Sequence, residues 1–234
     1  MKKYYLSGLL LSLLIVSCTN ELDEVIMSES ASGYTSRSFA NAEEKHPLIE
    51  GHYVELIDNK YVITISEEDA LEKGISRESY QEFNSSVMEM NQMLEEIIDD
   101  CLSRGNKVIV ESALYNDNSN NYISRVKSRA ETGTESAEFP RGTITTNGQE
   151  YGLAGIEKIP YNMLFVNCNC YSNVAPLPSQ VVVAESFGIS KLVSGIGQSI
   201  DLKVGFDVTN VPGGIKYKTS DSNGGRCAWV GSSN

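Results

Sequence analysis

The stretch Ser199-Ile200-Asp201-Leu202-Lys203-Val204-Gly205-Phe206-Asp207-Val208-Thr209 decides the fold class. Ile200, Leu202, Val204, Phe206 and Val208 alternate with polar or small residues. Successive strand side chains point to opposite faces, so this pattern puts one face in a core and the other in water. A buried parallel strand is apolar on both faces, so an antiparallel sheet is expected and a doubly wound fold is disfavoured. The expected class is α+β: an N-terminal β-hairpin and a long amphipathic helix, followed by an antiparallel β-sandwich-like module.

The flanking sequence adds strands. Residues 142–146 and 149–152 enclose Asn147-Gly148, a strong hairpin signal. Residues 162–170 and 181–187 are compact apolar runs, separated by Pro176 and Pro178, which cannot occupy a central strand. Upstream, the β-favouring runs 52–57 and 61–66 surround Asp58-Asn59-Lys60, which predicts another hairpin. Ser66 caps a short helical turn ending at Gly74, and Ser76 opens a longer helix that runs to about Arg104, with Gly105 as its stop. Tyr80, Phe83, Val87, Met90, Leu94, Ile97 and Cys101 recur every three or four residues, forming a stripe expected to pack on the hairpin. Met88, Met90 and Met93 read as core filling rather than as an adaptable binding surface. Residues 106–112 contain a short strand. Residues 115–121 are rich in oxygen ligands but lack the central glycine and closing glutamate of a calcium loop, so they read as a turn.

The 234-residue chain carries 19 basic and 31 acidic side chains, a net charge of -12. That balance argues against a nucleic-acid partner and against electrostatic adhesion to anionic lipid. From Cys18 to Pro140 there are 10 basic and 25 acidic residues, and from Arg141 onward 7 and 6. The break predicts two modules, 47–127 (hairpin plus helix) and 142–234 (antiparallel β), joined by an exposed linker at 128–141. Residues 18–46 are polar without sustained periodicity and read as a disordered tether with a mean reach of roughly 30 Å.

The first 17 residues carry a separate message. Lys2-Lys3 precedes an apolar run over 6–16, a signal-peptide core too short to span a bilayer. Ile15-Val16-Ser17-Cys18 resembles the lipobox of bacterial lipoproteins. The resemblance implies removal of 1–17, acylation of Cys18, and membrane contact through the N-terminal lipid, since several acyl chains anchor stably where one does not. The acidic residues Glu21, Asp23 and Glu24 resemble the surface-export signal of Bacteroidota lipoproteins, implying the outer membrane or cell surface. Further on, Gly197-Gln198-Ser199-Ile200-Asp201-Leu202, residues 215–221 and Ala228-Trp229-Val230 are similar to strands of bacterial immunoglobulin-like domains. That likeness covers about forty residues, implies a sandwich and specifies no ligand.

With Cys18 assigned to lipid, Cys101, Cys168, Cys170 and Cys227 remain as candidate disulfide partners. Cys168 and Cys170 lie two apart on a strand and share a face, so each is expected to find a distant partner, one reaching Cys101 and the other Cys227. A zinc site from Cys168, Cys170 and Cys227 fits usual ligand spacings poorly.

Catalytic patterns are sparse. His46 and His52 are the two histidines, and His52 and Glu55 face opposite ways on a strand. Cys101 with His52 as nucleophile and base is opposed by the apolar stripe around Cys101. Ser124-Arg125-Val126-Lys127 matches Ser-x-x-Lys without its Lys-Thr-Gly companion. No P-loop, dinucleotide fingerprint or Gly-x-Ser-x-Gly occurs, so no cofactor, no metal and no catalytic residue is expected. The leading expectation is an envelope lipoprotein that binds or displays a glycan or protein ligand. Tyr151, Tyr161, Tyr171, Tyr217 and Trp229 offer aromatic surface, with Tyr217 and Trp229 as the candidate binding pair. Two alternatives stand beside it: a toxin-like protein whose acidic module masks the β module until cleavage in 128–141, and an envelope hydrolase.

Overall fold

The computed structural model describes residues 45–115, 139–148, 150–175 and 177–233. Residues 43–234 form one compact unit of predominantly antiparallel β-structure. The first elements are a one-turn helix α1 (Pro47–Glu50), strands β1 (Val54–Ile57) and β2 (Lys60–Ile63), and helices α2 (Glu67–Glu72) and α3 (Arg77–Ser103). Asp58 and Asn59 both adopt positive φ, the geometry a two-residue hairpin turn requires. Ser76 caps α3 by accepting the Ser79 N–H, and Phe83, Val87, Met90, Met93, Leu94, Ile97 and Cys101 are buried along it.

The remaining strands are β3 (Lys107–Ser112), β4 (Arg141–Thr146), β5 (Gly152–Ile156), β6 (Phe165–Ser172), β7 (Ser179–Ser186), β8 (Ile189–Ile196), β9 (Ser199–Gly205), β10 (Gly213–Thr219) and β11 (Gly225–Ser232). They form a five-stranded sheet in the order β3-β8-β7-β10-β5 and a four-stranded sheet in the order β4-β11-β6-β9. Among the described residues every pairing is antiparallel except β3 with β8. Strand β7 is buried on both sides. Val182 and Ala184 join Val193, Ile215 and Tyr217 in the core between the sheets, while Val181 and Val183 join Leu192 and Ile196 under α3. The result is three layers: helix, five-stranded sheet, four-stranded sheet.

Several expectations change. The strand expected over 199–209 ends at Gly205, one position beyond which the Phe206 N–H still donates to Leu164 O, its opposite residue in the β6–β9 register. Asn147-Gly148 does not close a hairpin. β4 pairs with β11 and β5 with β10, so the chain crosses between sheets there, and Gly152 approaches Ile144 and Thr145 too closely for any Cβ. Strand β8, absent from the sequence reading, is a central strand. The tether expected to extend to 46 stops short of it, since His46 caps α1, whose Leu48 and Ile49 are buried. Of the expected linker, Pro140 O accepts the Gly231 N–H, Phe139 packs against the inner core, and Arg141 begins β4; residues 128–138 lie outside the described residues.

The two sequence modules share one sheet and one core. β3 hydrogen-bonds along β8, and the α3 stripe covers Val181, Val183, Leu192 and Ile196. At about 1.5–3 kcal/mol for each large buried apolar side chain, the stripe supplies on the order of 10 kcal/mol before ordering costs. A backbone cut within 116–138 is therefore expected to leave two fragments that co-elute as one native species on size exclusion and separate only in denaturant. Separation without denaturant would contradict the shared core.

Candidate functional site

The cysteines resolve first. Cys170 and Cys227 are cross-strand partners on β6 and β11 and form a disulfide that closes a separation of 57 residues. Cys101 and Cys168 are free and buried. The expected Cys101 bridge does not form, because Cys101 lies in the core under α3 and Cys168 in the core between the sheets, on opposite sides of the five-stranded sheet. Disulfide formation also removes two of the three thiols considered for zinc. Burial pushes both free thiols up in pKa, opposite to what a nucleophile needs.

Cys101 borders a polar cluster that pins the C-terminal end of α3 to the sheet. Arg104 donates to both Glu185 carboxylate oxygens at 3.0 and 2.6 Å and to Asp100 at 2.9 Å, and Lys216 reaches Glu185 at 3.1 Å. Burial alone would raise the Glu185 pKa, but bonds from Arg104 and Lys216 outweigh it and hold the carboxyl below its usual value. Lys218 bonds Glu96, and Lys216 and Lys218 both lie over the Tyr151 ring. These groups satisfy one another, and the cluster fixes helix register rather than receiving a ligand. His52, the imagined base, stacks on Tyr115 instead.

The expected binding pair, Tyr217 and Trp229, is not a surface. Tyr217 is fully buried and donates to Gln180 Oε1 at 2.6 Å. Trp229 is 7% exposed, packs over Gly142, and its indole N–H has no hydrogen-bond partner among the described residues. Both belong to the inner core because odd-numbered residues of β10 and β11 face inward, as Ile215 and Cys227 also do.

The same alternation places other residues outward on the four-stranded sheet. With Cys168 and Cys170 inside, Phe165, Asn167, Asn169 and Tyr171 of β6 face out, flanked by Arg226, Ala228 and Val230 of β11 and by Ser199, Asp201 and Lys203 of β9. Arg141, Thr143 and Thr145 of β4 complete the face and are exposed. Tyr171, Arg226 and Ser199 are register neighbours, with the guanidinium 5.7 Å from the ring centroid; Lys203 Nζ lies 4.3 Å from the Phe165 centroid. Asn169 donates to Asp201 at 2.8 Å, and Asn167 to Ser232 Oγ at 2.8 Å. Tyr171 was among the aromatics the sequence raised. Arg226, Lys203, Asn167 and Asn169 were missed, although the inward setting of Cys168 and Cys170 points to their outward one.

At the other side of the molecule, His46 fastens the start of the folded unit. Its Nδ1 accepts the Leu48 N–H at 3.3 Å, which places the ring proton on Nε2, 2.7 Å from Ser79 Oγ. The ring stacks on buried Phe83 at 4.5 Å. Burial lowers the His46 pKa, and the Ser79 contact and the Glu82 charge only partly oppose it. The calcium-like turn at 116–121 and the Ser-x-x-Lys match at 124–127 lie outside the described residues.

Three outcomes follow from this geometry. Reducing the Cys170–Cys227 bond should lower stability by about 2–4 kcal/mol in denaturant titrations, and Cys101 and Cys168 should react with maleimide only after unfolding. Below its ordinary value of 6.5, His46 is protonated more readily in the unfolded chain than in the folded one. Its contribution is therefore complete above 6.5 and lost as pH falls through the lowered folded value. His46→Ala should remove that component, seen as a smaller drop in denaturation midpoint between about pH 7.5 and 5.5. No family model matches the chain, and no curated protein matches it.

Proposed function

We propose that this chain is a lipid-anchored protein of a bacterial envelope that holds a rigid sandwich away from the membrane as a contact module for a glycan or protein. The observation that carries the reading is the polarity of the folded unit. Ser179 Oγ, at the start of β7, bonds Ser86 O, while Glu185, near its end, bonds Arg104, so α3 runs alongside β7 in the same direction. At 27 residues α3 is about 40 Å long. His46, where the tether reaches the folded unit, sits beside Ser79 and Phe83 near the first turns of α3. The opposite end carries Leu102, in the last turn of α3, and in its loops Tyr161, Leu164 and Phe187, which are 55%, 74%, 44% and 79% exposed. Register places them together at that end: Gly213 pairs with both Ser186 and Ile156, and Phe165 with Gly205.

Phe187 gives this end a functional mark. It occupies the first position of the two-residue β7–β8 turn at φ 42°, where asparagine or glycine is favoured, and it remains in solvent. Neither its backbone conformation nor its exposure helps the fold, which supports selection for contact. Release of a masked β module by proteolysis is opposed by β3, which is a strand of the sheet it would have to leave. A hydrolase finds no support in Cys101, whose thiol is buried and raised in pKa.

Cys18→Ala should abolish labelling by an alkyne palmitate and shift the protein from the membrane to the soluble fraction; equal labelling and retention would end the lipoprotein reading. Phe187→Asn should raise stability by about 0.5–1 kcal/mol, read from the denaturation midpoint. A destabilised variant would show that Phe187 serves the fold instead.

A further inference from the structure

The loops that join β6 to β7 and β10 to β11 meet the side of α3 and leave a cleft of about 420 Å³ between them, a size usual for small-molecule sites. Its walls are tied together. Buried Asp221 accepts the Ser172 hydroxyl at 2.5 Å, the Val174 and Ala175 amides at 2.7 and 3.1 Å, and the Asn223 amide at 2.8 Å, so one carboxylate joins the two loops. Ser179 Oγ donates to Ser86 O and fastens the same corner to α3. Burial alone would raise the Asp221 pKa, but these four bonds outweigh it and hold the carboxyl well below its usual range, and so ionised.

The lining is charged on one sign only. Glu82, Glu89 and Asp221 border the cleft, and no lysine, arginine or histidine does. Further along α3, Glu95, Glu96 and Asp100 are paired with Lys60, Lys218 and Arg104. Among the described residues Glu82 and Glu89 have no such partner, and His46, which feels the Glu82 charge, is kept neutral at pH 7 by burial. The two glutamates stand seven residues apart on one face of α3, about 10.5 Å along its axis. Ser85 and Ser86 lie between them and donate to Gln81 O and Glu82 O of their own helix, which leaves only lone pairs for a ligand. Across the cleft, Leu177 and Pro178 are apolar, and Val174 is 64% exposed. Among the described residues no three carboxylate, thiol or imidazole groups converge as metal ligands, so the cleft suits a cation whose charges are spread along a chain.

We infer that this cleft binds an aliphatic polyamine, a chain of ammonium groups joined by methylenes. An ammonium group only donates, and the row from Glu82 to Glu89 only accepts. The methylenes match the apolar wall of Val174, Leu177 and Pro178. The separation of the glutamates exceeds the span of a short diamine and suits a triamine. The net charge of -12 raises the concentration of such cations near the surface. This site is separate from the contact end at Phe187 and does not depend on it.

The test is calorimetric titration of the full mature protein in non-ionic detergent with spermidine, with putrescine as the shorter diamine and Mg²⁺ as a metal of the same charge as putrescine. Spermidine should bind saturably and more weakly as salt rises, putrescine less tightly, and Mg²⁺ least. Glu82→Gln and Glu89→Gln, both at exposed positions, should each weaken spermidine binding about fivefold, and the double variant about tenfold or more. Asp99→Asn, which removes the same charge from α3 outside the cleft, should change little. No saturable spermidine binding, indifference to both glutamate substitutions, an equal loss in Asp99→Asn, or Mg²⁺ binding as tightly as putrescine would each overturn the assignment. None of these outcomes bears on lipidation or on Phe187, which their own variants decide.

Discussion

The constraint on which the architecture depends is the two-sided burial of β7. All of its residues but Glu185 are buried, and its apolar side chains divide between two cores. A strand with this demand needs a covering layer on each face. The four-stranded sheet supplies one, closed by the β8–β9 and β4–β5 crossings. The α3 stripe supplies the other, with β1 and β2 packed beside it. Asn91 joins that outer layer together by bonding both the N–H and the C=O of Tyr61, acting as a substitute strand partner. Tyr61 in turn reaches through to Ser194 of β8, tying the hairpin to the central sheet.

How much of this can be read from the sequence depends on whether a segment is buried on one side or two. Residues 199–205 have one wet face, so their alternation is visible and the antiparallel character of the sheets with it. β8 has no such contrast, since Leu192, Val193, Ser194, Gly195 and Ile196 are all buried. The turn before it, Phe187-Gly188, also lacks the residue that usually signals a hairpin. The cysteines show a second limit. That Cys168 and Cys170 share a face follows from their spacing, but only register decides that Cys170 opposes Cys227 while Cys168 opposes Trp229. The aromatic pair failed for the same reason: Tyr217 and Trp229 are surface-like by type, and face parity puts them inside. The charge break near residue 140 is real as composition but reflects the solvent side of α2 and α3 rather than a boundary between cores.

Covering one outer face with a helix layer leaves the two outer surfaces chemically unlike. The helix layer meets water through glutamates and aspartates, a cheap way to keep an amphipathic helix soluble. The outer face of the four-stranded sheet has no helix among the described residues and meets water through a mixture of arginine, lysine, asparagine, threonine and aromatic side chains. A strand face needs only polarity to be soluble.

The position of the disulfide bears on the same surface. Cys170 and Cys227 face inward directly beside Tyr171 and Arg226, which face outward one residue away on each strand. The covalent bond therefore ties β6 to β11, the two central strands of the face, at the point where its ring and guanidinium meet. The bond closes a separation of 57 residues and so adds to stability. It also fixes the register of β6 on β11, since ladder bonds can fray and shear while a cross-strand covalent bond holds that pair of positions together.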